Sequence, residues 1–382
     1  MVSTWRVEGT MLTKTPESSG ASPSPGIVHR KEAKLIVVDG RDVIHSLAVL
    51  ADGKHVVSGG AEQKIRRSRI EDGKEVGTAM DAGSTVYDIA VSRDGKVIVS
   101  GTRDGWVTVW KVKSHSKVTE LKAHERSVRA VDVSPDATKI ATGSGDRTAC
   151  VWSLSTGERL LGPLKHNNGV VAAKFSPDGR FTATATSSSY HDSDSVRVYD
   201  SQNGSLLVEF PVKVNSTSNQ SLAWASDSKQ LFALSRDGNI HSVDVSAKIT
   251  LSKWYIHSTI DPICITLSSN GKFIAAAADS SVSLWDTATH EKIGAIIEYT
   301  HWVGSMAMSP NYDLVTSGNK KITLRALCDT VPSHYLDNVS VPAKNLAIAN
   351  HPIRRCRPPA CRKSSTQKSR GLTTVQVRSF AP

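Results

Sequence analysis

The residues best equipped for chemistry in this 382-residue chain lie close together: His124, Ser144 and Asp146. An imidazole with a carboxylate nearby has the make-up of a His–Asp dyad, in which the carboxylate orients the ring and the ring takes up a proton. Nothing else in the sequence completes an active site. There is no glycine loop to cradle a nucleotide, no nucleophile elbow, no metalloprotease helix and no ladder of paired cysteines. The Ser-x-Asp-x-Gly-x-Thr-Trp box of sialidase-like chains is also missing. His351, Cys356 and Cys361 match no zinc spacing and lack a fourth ligand. His191, Asp192 and Asp194 stand in a Ser-rich stretch that reads as a surface loop rather than a cation site. The expectation is a non-enzyme with no cofactor and no metal, in which the His–Asp pair is structural.

The elements that position these residues come from a repeated phrase. Ser134-Pro135-Asp136, Ser176-Pro177-Asp178-Gly179 and Ser309-Pro310-Asn311 are its clear copies, and Ser92-Arg93-Asp94-Gly95 and Ser269-Asn270-Gly271 are looser ones. Asp52, Asp94, Asp136, Asp178, Asp227, Asn270 and Asn311 follow one another at steps of 42, 42, 42, 49, 43 and 41 residues. A period near 40 marks a repeat architecture. The longer step places five extra residues within Ser187–Ser195.

Within the third unit, Val128 to Val133 alternates apolar and polar residues with period two, which predicts a half-buried strand. Turn residues then separate it from strands at Lys139–Gly143, Thr148–Leu154 and Arg159–Leu164. Four short strands form an antiparallel meander, and seven meanders packed radially form a propeller. The prediction is an all-β, seven-bladed β-propeller of four-stranded blades. The early strand Lys34–Val38 should pair with the last, Ile322–Leu327, and so close the ring.

The phrase and its partners resemble the WD40-repeat family across roughly Lys34 to Leu327. Leu284-Trp285-Asp286 carries the signature dipeptide, and Val198-Tyr199-Asp200 is a variant of it. Trp110-Lys111 and Trp152-Ser153 keep the Trp, and Ala123-His124 stands for the family's Gly-His. The resemblance implies a buried set of His, Ser/Thr, Asp and Trp that stitches a blade together. In the third unit this would be His124, Ser144, Asp146 and Trp152. The second unit would supply Thr102, Asp104 and Trp110, and the sixth His257, Asp279 and Trp285. The resemblance also implies partner binding on the face that carries the loops before the first strand and after the second. By phase, the residues opening the first strands are His45, Tyr87, Arg129, Val171, Ser221, Ile263 and Gly304. Trp302 stands two residues before the last of these, and Arg103 and Arg236 precede turn aspartates. Tyr, Trp and Arg dominate binding hot spots, and arginines favour acidic or phosphorylated peptides. His45, Tyr87, Arg103, Arg129, Arg236 and Trp302 are therefore the candidate partner-binding residues.

The domain reading is a disordered extension at 1–33, a propeller at 34–328, a short connecting segment at 329–340 and a basic disordered tail at 341–382. Nine of the eleven net positive charges fall in Val341–Pro382, which has no Asp or Glu. The propeller body is therefore nearly neutral, and nucleic-acid contact is an option for the tail alone. No apolar run approaches the roughly 20 residues of a membrane span, and the first residues lack the apolar core of a secretory signal. The expected setting is intracellular, cytoplasmic or nuclear, the latter through Arg354-Arg355 and Arg362-Lys363. The leading function is a protein-interaction scaffold. The alternatives are a ubiquitin-ligase substrate receptor, weakened because Trp285-Asp286-Thr287-Ala288 lacks the Arg usual there, and an RNA-associated scaffold acting through the tail.

Overall fold

The computed structural model describes residues 36–39, 42–187, 195–214, 220–256, 262–328 and 330–336. The expected extension 1–33, the loop 188–194, His257 and the tail 341–382 lie outside the described residues. The described chain forms seven four-stranded antiparallel sheets, each a meander in chain order except the last. We number them as blades one to seven, with strands counted from the inside outwards. The first strands are Ile44–Val49, Val86–Val91, Val128–Val133, Gly169–Phe175, Leu222–Trp224, Pro262–Leu267 and Ser305–Met308. The innermost strand of each blade packs against that of the next, and that of blade seven packs on blade one.

The recurring Ser-x-Asp phrase has a definite mechanical role. The hydroxyls of Ser92, Ser134, Ser176 and Ser268 accept hydrogen bonds from the backbone N–H five residues on, at 2.8–3.1 Å. The same hydroxyls donate to Asp94, Asp136, Asp178 and Asn270. Each turn thereby returns the chain from the first strand to the second with its polar groups satisfied. That requirement explains why the phrase is repeated.

The apolar core is divided among the seams. Seven buried clusters occur among the described residues, and each joins two neighbouring blades. Trp110 of blade two packs with Ile65 and Met80 of blade one. Trp152 of blade three packs with Val99 and Val107 of blade two. Small residues let the blades approach. A Cβ on Gly101 would stand 2.6 Å from a methyl of Val128, and one on Gly143 would stand 2.6 Å from a methyl of Val170.

Closure is made by the chain's early strand. Ile36–Asp39 pairs antiparallel with Lys321–Leu324, in the register Ile36 to Leu324 and Asp39 to Lys321. It forms the outer strand of blade seven, and Lys34 and Leu35 of the expected strand lie outside the described residues. After the last strand, Leu327 and Val331 join the apolar cluster of the seam between blades six and seven. Tyr335 then donates from its hydroxyl to Asp286 Oδ2 at 2.7 Å, and its carbonyl accepts from Asn270 Nδ2 at 2.8 Å.

Removal of residues 1–40 should leave the strand at Lys321–Ala326 an open edge and loosen the seam between blades seven and one. We expect a truncated protein that aggregates or melts at a markedly lower temperature in calorimetry. An unchanged cooperative melt would contradict this account of closure.

Candidate functional site

The His–Asp pair occupies a closed structural site. His124 Nδ1 lies 2.9 Å from Asp146 Oδ2, and Nε2 lies 2.7 Å from Thr142 Oγ1. Trp152 donates from Nε1 to the same Thr142 oxygen at 2.9 Å. A neutral ring protonated on Nδ1 completes the chain: indole to threonine, threonine to imidazole, imidazole to carboxylate. Burial holds the His124 pKa below its usual value, against the pull of Asp146. Burial would raise Asp146, but bonds from Thr148 and His124 outweigh it, and its pKa is lowered. The His124 side chain is 1 % exposed and both ring nitrogens are engaged, which leaves no room for substrate.

One member of the expected set is corrected. Ser144 does not join it; its hydroxyl donates to Arg126 O and accepts from Asp146 N. Thr142 takes the position instead. Residues two apart in a strand share a face, so the spacing gave the correct face and the wrong rung. Ile140 lies opposite Trp152 and Thr142 opposite Cys150, so the indole reaches diagonally to Thr142. The same shift recurs in blade two, where Trp110 Nε1 donates to Ser100 rather than Thr102. In blade four, His166 Nε2 stands 3.5 Å from Thr184 and 3.4 Å from the Tyr199 hydroxyl. In blade six, Trp285 Nε1 donates to Ser283 of its own strand.

The top of the ring, where the chain enters each first strand, is built by a repeated irregularity. In blade one, Ile44 pairs with Gly60 and Ser46 with Gly59, so His45 is an extra, unpaired residue. Tyr87, Arg129, Val171 and Ile263 are the extra residues in blades two, three, four and six. A bulge bends the strand and re-aims its side chain. Here it recurs at the same place in the first strands, and in blades one to four the extra residue is a different side chain each time. Blades five and seven show no such shift in their first strands. In blade five the equivalent phase, seven residues before the turn Asp227, belongs to Gln220 and not to Ser221. The Gln220 side-chain carbonyl accepts from Met306 N of blade seven at 2.8 Å. The constant seven-residue interval from His45 to Asp52 and from Arg129 to Asp136 is the signal that identifies Gln220.

His45 and Tyr87 face each other across the seam of blades one and two, with ring centroids 5.5 Å apart. Burial lowers the His45 pKa, partly offset by Asp42. Arg129 is exposed on blade three, beside the bare turn residue Gly145: a Cβ there would be 3.6 Å from Arg129 Nε. Arg103 is exposed on blade two and its backbone N–H bonds Thr85 O at 2.8 Å. Trp302 is 45 % exposed, its ring lying over Gly304 on blade seven. Trp302, His45, Tyr87, Arg103 and Arg129 therefore occupy four consecutive blades. Arg236 is exposed but stands apart on blade five.

Inside the channel, the free edges of the first strands are satisfied by side chains of adjacent blades. Asp88 accepts from Ser46 Oγ at 2.9 Å and from Val131 N at 2.8 Å. Asp132 accepts from Phe175 N at 2.8 Å and lies 3.5 Å from Lys174 Nζ. Asp88, Asp132 and Lys174 line a cavity of about 290 Å³. Burial pushes the Asp88 pKa up to about 6, although Lys174 and the bonds from Val131, Ser46 and Ile89 pull the other way. Sequence reading passed over this network, because Asp88, Asp132 and Lys174 sit in strands that otherwise read as ordinary alternation.

Seven closed blades, a stitching His–Thr–Trp–Asp set and a top rim of varied side chains define a WD40-type β-propeller. The profile of the family described as IFT122 first beta-propeller matches residues 43–328, and the chain belongs to that family. No curated protein matches the chain. Propellers of this kind are typical protein-interaction scaffolds and are generally non-catalytic.

Two measurements check the polar sites. Thr142→Val leaves His124 Nε2 and Trp152 Nε1 without a partner and should cost about 1–3 kcal/mol in urea unfolding, whereas Ser144→Ala should cost under about 1 kcal/mol. Equal losses would contradict the assignment. Because the Asp88 pKa is raised on folding, the stability linked to its protonation is fully present below pH 4 and is lost as pH rises through about 6. Wild type should therefore lose stability relative to Asp88→Asn between pH 4.5 and 7.5. Parallel urea midpoints at the two pH values would contradict this.

Proposed function

We propose that the chain is a non-catalytic docking platform that binds an acidic segment of a protein partner across the top rim of blades seven, one, two and three. The observation that carries this reading is the repeated bulge, which turns His45, Tyr87 and Arg129 onto one rim beside the half-exposed Trp302. An aromatic pair, an exposed indole and two exposed arginines supply the residue types that dominate hot spots. Guanidinium groups bind carboxylates or phosphates through paired hydrogen bonds. The body is nearly neutral overall, so the arginines act as local anchors rather than as part of a general basic field.

The ubiquitin-ligase reading gains no support from blade six. Asp286 accepts hydrogen bonds from Tyr335 and from two turn N–H groups, and no Arg follows it. The RNA reading rests on residues 341–382 alone.

Affinity purification with three baits separates the readings: the propeller, the tail, and the propeller carrying Tyr87→Ala, Arg129→Ala and Trp302→Ala. Loss of the partner in the triple variant, with an unchanged melting temperature, is expected. A partner retained by the triple variant, or captured by the tail alone, would contradict top-rim docking.

A further inference from the structure

The cavity of about 290 Å³ in the central channel has two unlike sides, and the first strand of every blade reaches it. Blades one, five, six and seven present Leu47, Leu222, Ile265, Leu267, Met306 and Met308, and none of these blades lines it with a charged group. Blades two, three and four present the carboxylates of Asp88 and Asp132 and the ammonium of Lys174. An aliphatic wall facing a few convergent polar groups is the usual make-up of a small-molecule site. At about 30 Å³ for each water-sized unit, the space takes a molecule of about ten non-hydrogen atoms.

The charges on the polar side do not balance. Two carboxylates face one ammonium, which leaves one negative charge in excess. Asp88 is 3 % exposed, and the side chains of Asp132 and Lys174 are 21 % and 27 % exposed, so water screens the excess poorly. Charge held away from water is costly unless it is paired. Burial keeps the Asp88 pKa raised even with Lys174 pulling the other way, as expected of a carboxylate whose charge is incompletely matched. Acceptor capacity is also left over. Asp132 Oδ2 takes the N–H of Phe175, but among the described residues Oδ1 has only the long 3.5 Å contact with Lys174, and a carboxylate offers about four acceptor positions. A second cavity of about 280 Å³ adjoins the first through Asp132 and Lys174, on the side of the Ser-x-Asp turns. Arg93 reaches across it from blade two to Pro177 O of blade four at 3.2 Å. That arginine is exposed to screening solvent and does not line the first cavity.

We propose that the central channel is a binding site for a small organic monocation, whose ammonium head pairs with Asp132 beside Asp88 and whose aliphatic body lies on Leu267, Met306 and Met308. The head supplies the missing positive charge and donates to the acceptor positions that Lys174 leaves open. The body covers the wall that carries no charge. Other occupants match only part of the site. A carboxylate would find Lys174 but add to the negative excess. A bare metal ion would gain nothing from the aliphatic wall, and water alone would leave both the charge and the wall unmatched. The channel site does not involve the rim side chains, and either site can fail without the other.

The test titrates the full chain with three molecules that share one ring and differ in the head: cyclohexylmethylamine, cyclohexylmethanol and cyclohexanecarboxylate. Calorimetry should show saturable binding of the amine, with the alcohol and the carboxylate at least tenfold weaker. In protein isotopically labelled at the methionine methyls, NMR should show the amine shifting the signals of Met306 and Met308 and leaving in place that of Met80, in the seam of blades one and two. Asp132→Asn should weaken the amine at least tenfold. Lys174→Met removes the competing ammonium and should tighten it at least threefold; this variant decides the matter if Asp132→Asn melts early. The absence of saturable amine binding overturns the proposal. So does equal or tighter binding of the alcohol or the carboxylate, a set of methyl shifts that bypasses Met306 and Met308, or binding that folded variants leave unchanged.

Discussion

The structure depends on one constraint: no blade owns a hydrophobic core. The apolar clusters lie between blades, so a blade is covered on both faces only when it has two neighbours. A row of such blades would end in two bare faces. Pairing of Ile36–Asp39 with Lys321–Leu324 removes both ends, because it ties the start of the chain to its last blade. Ile44, Leu47 and Val56 of blade one then meet Val315, Ile322 and Leu324 of blade seven in the same kind of seam found elsewhere. The loop-closure entropy of joining segments nearly 290 residues apart is borne once. Every seam gains from it.

Closure also creates the central channel and its rim. The central channel exists only when seven first strands surround it, and their inner edges then need hydrogen-bond partners. Asp88 and Asp132 meet that need by reaching from one blade to the backbone of the next. At the top of the same strands, bulges relieve the crowding and turn His45, Tyr87 and Arg129 to the rim. The strands that line the channel thus also carry the rim residues to which docking is proposed. The His124 set, which looked reactive in isolation, holds the second and third strands of blade three to the loop that leads into it.

The repeat was legible because its turns have strict local chemistry. A Ser hydroxyl must reach the N–H five residues on, and this left Ser134-Pro135-Asp136 and its copies in the sequence. The rim was legible through the same phase, since His45, Tyr87 and Arg129 each stand seven residues before a turn Asp. What failed was finer than the period. Thr142 and Ser144 share a strand face, and only the register against Cys150 and Trp152 decides between them. Ser221 displaced Gln220 by one residue because the preceding loop obscures where the strand of blade five begins. The channel network was hidden because its bonds join residues about 42 apart, and nothing local marks them.

The central claim is that closure and the seams form one cooperative unit. Native-state hydrogen exchange on the amides of Ile36–Asp39 and Lys321–Leu324 tests it most directly, measured beside those of Lys139–Ser144 in blade three. The account predicts that all three segments exchange through the same global opening, with equal free energies and equal sensitivity to denaturant. Exchange of the closing pair through a separate low-energy opening, while blade three stays protected, would contradict it.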